Sequence, residues 1–189
     1  MTTVFDHLEA YACEIVRGAS VDPDGNKMSF QIVETAGGPY CGTTTFSTLG
    51  LGKFPLPNGS CCDKARLIRH ELVMVVPSDA VPPNIIAILY LVGMETISRN
   101  AALLRGEMLG PRGVLFDGYE PKALYASNPV CFPDGFGSVF EEGLGDIAMA
   151  WLIPMLDSEV SYLQAHGWPA LEDKWVADDP DLVDYRRKA

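Results

Sequence analysis

The sequence has 189 residues, of which 48% are hydrophobic and 21% are charged, and its formal net charge is −11. A chain of this length and apolar content is long enough to bury a sizeable core, which excludes a disordered segment and favours one globular domain. The acidic balance argues against nucleic acid and against an anionic membrane as partners, because both bind clustered lysine and arginine.

The first part of the chain predicts one helix followed by three strands. Apolar residues at helical spacing indicate an amphipathic helix over Val4 to Val16, stopped by Gly18. Met28 to Thr35 and Tyr40 to Leu49 predict two strands joined by a Gly-Gly-Pro turn. Ala65 to Val76 predicts a longer strand whose pattern changes from alternating to continuously apolar, which is typical of the middle of a sheet.

The second part of the chain alternates between helices and strands. Two prolines open a predicted helix over Asn84 to Leu104. Three strands are predicted next, over Val114 to Phe116, Ala123 to Tyr125 and Ile147 to Met155. A final amphipathic helix starts at Asp157 and is interrupted by a Gly-Trp-Pro sequence. The fold class we predict is α+β: a single domain with a central mixed or antiparallel β-sheet, flanked by helices that include N-terminal and C-terminal amphipathic helices.

No internal repeat or linker divides the chain. We therefore expect one domain over residues 1–177 and a charged C-terminal tail over residues 178–189, mobile at its end. The longest apolar stretch, Ile85 to Met94, is about half of the roughly 20 residues that span a bilayer. The first residues lack the basic leader and apolar core of a secretory signal. We expect a cytoplasmic protein that does not bind a membrane.

The stretch GTTTFSTLGLGKF, Gly42 to Phe54, has the composition of a phosphate-binding loop but not its spacing. Such a loop needs G-x-x-x-x-G-K-[ST], in which glycines let the backbone amides converge on phosphate. If Gly52 and Lys53 are the central pair, Ser47 stands where the first glycine is required and Phe54 where the final hydroxyl is required. We therefore predict a strand end and a turn that bind no phosphate, and we expect no cofactor.

The strongest enzymatic constellation is a pair of adjacent cysteines. Cys61 and Cys62 lie in a predicted loop near basic residues, and His70 follows nearby, so one hypothesis is a cysteine-dependent hydrolase with either thiol as nucleophile. His70 lies inside a strand pattern between Arg69 and Glu71, where a sheet-face residue is the simpler interpretation. The three histidines have no metal-binding spacing, and the 5 cysteines form no C-x-x-C pair, so no metal site and no disulfide framework are predicted.

Three segments stand out in chain order: TFSTLGLGKFPLP at Thr45 to Pro57, RHELVMVVP at Arg69 to Pro77, and IAMAWLIPMLDSEVSYLQAHGWPALEDKW at Ile147 to Trp175. Together they resemble the suppressor of fused domain family. The resemblance covers nearly the whole chain. It implies a mixed α+β domain that binds other proteins and has no catalytic activity, in which Thr48 and Gly50 shape a strand end and a turn.

Stand-alone members of that family are typical of bacteria, and the resemblance implies an immunity-like role in which the domain neutralises a toxin. We therefore expect a non-catalytic protein that sequesters or neutralises a protein partner, either a basic toxin or a regulatory protein. Residues 141–189 carry more than half of the excess negative charge, and the predicted partner-binding residues are Glu141, Glu142, Asp178 and Asp179. The alternative is the cysteine-dependent hydrolase.

Overall fold

The computed structural model describes residues 2–22, 25–58 and 67–188, which form one sheet with helices on both faces. The helices are α1 (Val4–Ala12), α2 (Ile85–Arg99), α3 (Asp157–His166) and α4 (Trp168–Asp178). The strands are β1 (Ile15–Val21), β2 (Lys27–Thr35), β3 (Thr43–Leu49), β4 (Leu56–Pro57), β5 (Leu67–Pro77), β6 (Met108–Leu109), β7 (Ala123–Ser127), β8 (Ser138–Glu141) and β9 (Gly145–Met155).

The sheet is mixed, and its long strands lie in the centre. Its main path is β1-β2-β3-β5-β9-β7-β6, with β4 beside β5 and β8 beside β9. The central pair β5 and β9 is parallel, and the other pairs are antiparallel. This arrangement confirms the predicted α+β fold of a single domain with a central sheet, and it confirms the interior position predicted for β5.

Strand β5 is buried on both sides because two apolar clusters meet it. Leu72 and Met74 belong to the cluster that α2 covers, whereas Val73 and Val75 belong to the cluster that α1, α3 and α4 cover. Successive side chains of a strand point to opposite faces, so a strand between two helical layers becomes continuously apolar. Each such buried side chain contributes roughly 1.5–3 kcal/mol by its transfer from water.

The first helix is shorter than predicted. Thr3 caps α1 through its hydroxyl, which accepts a hydrogen bond from the backbone N–H of Asp6 at 3.2 Å. The helix ends at Ala12 because Cys13 adopts a positive φ of 66°, which helical geometry does not allow. The prediction that the helix continues to Val16 is wrong, because β1 begins at Ile15 and forms an edge of the sheet.

Other differences arise at short or capped elements. Helix α2 ends at Arg99 and not at Leu104, because Asn100 adopts the left-handed conformation that closes a helix (φ 49°, ψ 48°). The predicted strand over Val114 to Phe116 is not formed. Strands β6 and β8 were not predicted, because segments of two and four residues are too short to show a period.

The last residues of the chain pack against the domain. Val183 and Tyr185 are buried, and the Tyr185 hydroxyl donates to the carbonyl oxygen of Ala80 at 2.8 Å. The Arg187 side chain is only 8% exposed and pairs with Glu159 at 2.8 Å. The segment predicted to be mobile at its end therefore lies against the core through Arg187. The domain boundary between residues 177 and 178 stays a prediction.

Candidate functional site

The turn after β3 surrounds a buried carboxylate. Glu71 of β5 is 1% exposed. The backbone N–H groups of Gly50 and Gly52 each donate to its Oε1 at 2.9 Å. The N–H of Leu51 and the hydroxyl of Thr48 donate to its Oε2 at 3.2 and 2.5 Å. The amides of this glycine-rich turn therefore converge on a carboxyl group, and that group is a side chain of the same protein.

This network gives Thr48 and Gly50 the structural roles that the sequence predicts. Gly50 has a φ of 100°, a left-handed conformation that glycine adopts without strain, and it redirects the chain into a short 3-10 turn. Thr48 also accepts a hydrogen bond from the N–H of Leu72 at 2.8 Å, which joins the strand end to β5. Burial raises the pKa of Glu71 above its usual range, and the four hydrogen-bond donors oppose that rise because they favour the carboxylate.

His70 does not have the surroundings of a catalytic base. Its side chain is 2% exposed, and neither ring nitrogen has a hydrogen-bond partner among the described residues. Burial lowers its pKa to about 4, because a charged imidazole is poorly solvated there. Cys61 and Cys62 lie outside the described residues, so the cysteine hypothesis stays a prediction. Within residues 2–22, 25–58 and 67–188, no group of three metal-binding side chains is close enough to hold an ion.

The four predicted partner-binding residues lie in two regions. Glu141 ends β8, and its carboxylate accepts a hydrogen bond from the first backbone N–H of α1 at 3.0 Å; Glu142 follows it and is exposed. Asp178 ends α4 and pairs with Lys174. Asp179 caps that helix with a φ of 47° and lines a groove. Of these residues, Asp179 alone lines that groove, and their role in partner binding stays a prediction.

We call this groove the acidic groove. It has a volume of about 930 Å³ and lies where residues 179–186 pass the start of β3, the end of β5 and the loop after β7. Its charged lining residues are Asp79, Asp179, Asp181, Asp184 and Arg186. Its apolar and aromatic lining residues include Tyr40, Val130, Trp151, Leu182 and Val183.

The charges of the acidic groove are only partly neutralised. Arg186 pairs with Asp184 at 2.8 Å and lies 3.6 Å from Asp79. Within the described part of the chain, no basic side chain pairs with Asp179 or Asp181. The groove therefore carries a negative excess that faces solvent.

The pKa of Tyr40 reflects this environment. Burial is the largest cause of a raised pKa at Tyr40. The nearby Cys131, Asp181 and Asp179 raise that pKa further, because each disfavours a second negative charge. The Tyr40 side chain is still 55% exposed and stands at the groove as an accessible aromatic surface.

Most of the acidic groove was not predicted from the sequence. The charge-rich segment DDPDLVD, which starts at Asp178, is the signal that placed Asp179 among the candidates, and the same signal extends to Asp181 and Asp184. Tyr40 and Asp79 carry no such signal. Tyr40 precedes β3, and Asp79 follows β5. The two residues come close because Thr43, the first residue of β3, pairs with Pro77, the last residue of β5.

The fold and groove together define a protein of the α+β class that offers an open binding surface and, among its described residues, no metal-binding cluster. The family model described as Suppressor of fused protein (SUFU) matches residues 26–188, and the chain belongs to that family. The resemblance predicted from the sequence is confirmed. No curated protein matches the sequence. No helix in the described residues is both long and apolar enough to cross a membrane.

Solved structures with this fold include a SUFU homologue from Neisseria gonorrhoeae, with a TM-score of 0.74, 16% identity, and coverage of 98% of this chain and 93% of that chain. The Sufu-Fu complex matches with a TM-score of 0.71 and 12% identity, over 98% of this chain and 89% of that chain. Drosophila Suppressor of Fused matches with a TM-score of 0.68 and 13% identity, over 99% of this chain but only 50% of that chain. At these identities the likeness establishes the fold.

Proposed function

We propose that this chain is a non-catalytic protein-binding domain that sequesters or neutralises a protein partner in the cytoplasm. Membership of the suppressor of fused family supports a binding role, and a structure of similar fold is that of the Sufu-Fu complex. The partner class we propose is a basic toxin or a basic regulatory protein, which would make the domain immunity-like.

The observation that carries this proposal is the acidic groove. An open groove of about 930 Å³ with unneutralised carboxylates and exposed apolar side chains is suited to contacts with a protein surface. Negative potential speeds the approach of a basic partner, and the gain falls as salt rises.

The first experiment is affinity capture of the tagged protein from a lysate of its source, at low and at moderate salt. The captured protein is then purified, mixed with the domain, and analysed by size-exclusion chromatography with light scattering and by intact mass spectrometry. We expect a stoichiometric complex that weakens with salt and a partner whose mass does not change. A partner that is cleaved or modified during incubation would contradict a non-catalytic role, and the absence of any retained protein would contradict binding.

The alternative hydrolase has its own readout. An activated thiolate at Cys61 or Cys62 would react with limiting iodoacetamide at neutral pH much faster than the other cysteines. Peptide-level mass spectrometry measures this directly. Uniformly slow labelling, which we expect, would exclude the hydrolase.

The two regions of predicted partner-binding residues are compared by association kinetics. One charge-reversal variant carries Glu142→Lys, and the second carries lysines at Asp178 and Asp179. Glu141 is left unchanged, because its carboxylate caps α1. A region that contacts the partner should lose about tenfold in association rate at low salt. Unchanged rates in both variants would contradict the electrostatic contribution.

A further inference from the structure

The acidic groove combines two kinds of surface that together specify the chemistry of an occupant. One part of the lining is formed by residues 179–186, which carry three of the acidic side chains, and another by the start of β3 and the end of β5. The volume, about 930 Å³, is near the upper end of binding pockets, which hold about 300–1,000 Å³. It accommodates several side chains in a row, so an extended segment fits it better than a single small anion or metal ion.

The charge of the acidic groove selects basic side chains. Four carboxylates face a single guanidinium, and Arg186 is already held by Asp184 and Asp79. The Asp181 carboxylate is oriented by the backbone N–H groups of Val183 and Asp184, which donate to its Oδ1 at 3.1 and 3.2 Å. Because the Asp181 carboxylate is already held in one orientation, the Asp181 side chain loses little entropy when it binds a lysine or arginine.

The apolar part of the acidic groove selects a second kind of side chain. Val130 is 73% exposed and Tyr40 is 55% exposed, and both line the groove that holds the carboxylates. Trp151 contributes to the lining but is itself buried. An aliphatic or aromatic side chain placed between Val130 and Tyr40 would remove apolar surface from water, at about 25 cal/mol per Å².

We propose that the acidic groove receives an extended segment of the partner protein in which lysine or arginine residues flank an aliphatic or aromatic residue. This inference rests on the proposed function and adds the site and the chemical class of the bound segment. The basic side chains reach Asp179 and Asp181, and the apolar side chain packs on Val130 and Tyr40.

The test uses a phage-displayed library of short random peptides, selected on the whole 189-residue chain. Two charge-matched variants are then compared with the wild type by fluorescence anisotropy of the selected peptides. The groove variant is Asp179→Asn with Asp181→Asn, because asparagine tolerates the left-handed backbone at position 179 and keeps an oxygen acceptor for the N–H groups of Val183 and Asp184 at position 181. The control is Asp117→Asn with Glu120→Gln, which removes the same charge at exposed positions that lie outside the acidic groove and outside the predicted partner-binding residues.

We expect the selected peptides to combine lysine or arginine with an apolar residue. Their affinity should fall about tenfold in the groove variant and by less than about twofold in the control, because only the first loses facing charges. A Val130→Ser variant should also bind weakly, since it removes the apolar contact at an exposed position without adding a charge. Peptides without basic residues, equal affinity for the two charge variants, or no enriched peptide would each overturn the inference.

Alkylation of native cysteines locates the bound peptide independently of folding effects. Cys41 is exposed and lines the acidic groove, whereas Cys13 is exposed and does not. A bound peptide should slow the reaction of Cys41 with N-ethylmaleimide and leave Cys13 unchanged. Equal rates at Cys41 with and without saturating peptide would place the peptide elsewhere and overturn the inference. If the natural partner binds the groove variant and the control equally, the proposed function stands and the groove is not its site.

Discussion

Replacement of Glu71 by glutamine tests whether the turn after β3 is built around a negative charge. The glutamine oxygen can keep the two N–H donors of Gly50 and Gly52, but its amide nitrogen then faces the N–H of Leu51 and the hydroxyl of Thr48. The Leu51 N–H loses its acceptor, and a buried unsatisfied donor costs about 1–3 kcal/mol. The two remaining bonds change from charged to neutral, a loss of about 1 kcal/mol. The free energy of unfolding should fall by about 2–4 kcal/mol in total.

The assay is urea denaturation at pH 7, followed by tryptophan fluorescence and circular dichroism and analysed by linear extrapolation. Glu142→Gln is the matched control, because it removes the same charge at an exposed position. We expect the control to stay within about 0.5 kcal/mol of the wild type.

A loss of less than about 1 kcal/mol in Glu71→Gln would refute this reasoning. It would mean that burial keeps Glu71 protonated at neutral pH, so that glutamine reproduces the native side chain. The turn would then bind a neutral carboxylic acid, and its convergent amides would not be an anion site.

Three further predictions concern a buried histidine, a buried ion pair and a glycine packed against a tryptophan ring. Burial lowers the pKa of His70 from 6.5 to about 4 in the folded protein. As the pH falls, the unfolded chain therefore binds a proton at this histidine before the folded protein does. The stability that this pKa difference gives the folded protein is present above about pH 6.5 and is lost as the pH falls to 4. Without His70, the free energy of unfolding should fall by about 3 kcal/mol less over that pH range, so His70→Leu should show a smaller decline than the wild type. Urea titrations at several pH values measure this decline. An unchanged decline would show that His70 does not cause it. Arg187→Met breaks a buried ion pair with Glu159 and should lower the free energy of unfolding by about 3 kcal/mol. Adding Glu159→Gln removes the unpaired charge, so the double variant should regain part of that loss. If the losses of the two single variants simply add, Arg187 and Glu159 are not energetically coupled. Gly106→Ala places a methyl group 2.6 Å from the nearest tryptophan ring atom at a φ of +91°, whereas Gly143→Ala has a φ of +85° and no atom within 4 Å. The thermal midpoint should therefore fall further for Gly106→Ala than for Gly143→Ala, which loses only the left-handed backbone term of about 1–2 kcal/mol, and equal shifts would contradict the packing argument.

The sequence predicts the long elements of this fold well and the short ones poorly. Strand β5 and helix α2 have enough residues for their periods to be read, and β5 also shows its central position by its continuous apolar run. Strand β1 was not predicted, and the predicted helix ran into it as far as Val16, because the apolar residues around Ile15 fit a helix as well as a strand. The positive φ of Cys13 ends the helix, and β1 then begins at Ile15, which pairs with Thr35 of β2.

The candidate site was predicted only in part, for a related reason. The turn at Gly50 can be read from the sequence, but its partner Glu71 is brought to it by the register in which Ser47 faces Val73. A charge-rich segment identifies Asp179, whereas Tyr40 and the other residues that complete the groove come from distant parts of the chain. Residues that share a surface through strand pairing leave no spacing in the sequence.

The packing of residues 183–187 also bears on the order in which the protein folds during synthesis. Val183 belongs to the apolar cluster that α1, α3 and α4 cover, and Tyr185 belongs to the cluster that α2 covers. Both layers are thus completed by residues that leave the ribosome after every strand of the sheet has emerged. Domains fold as units during translation, so this domain should reach its native state only after Arg187 has left the ribosome. The wall of the acidic groove that residues 179–186 provide forms at the same step.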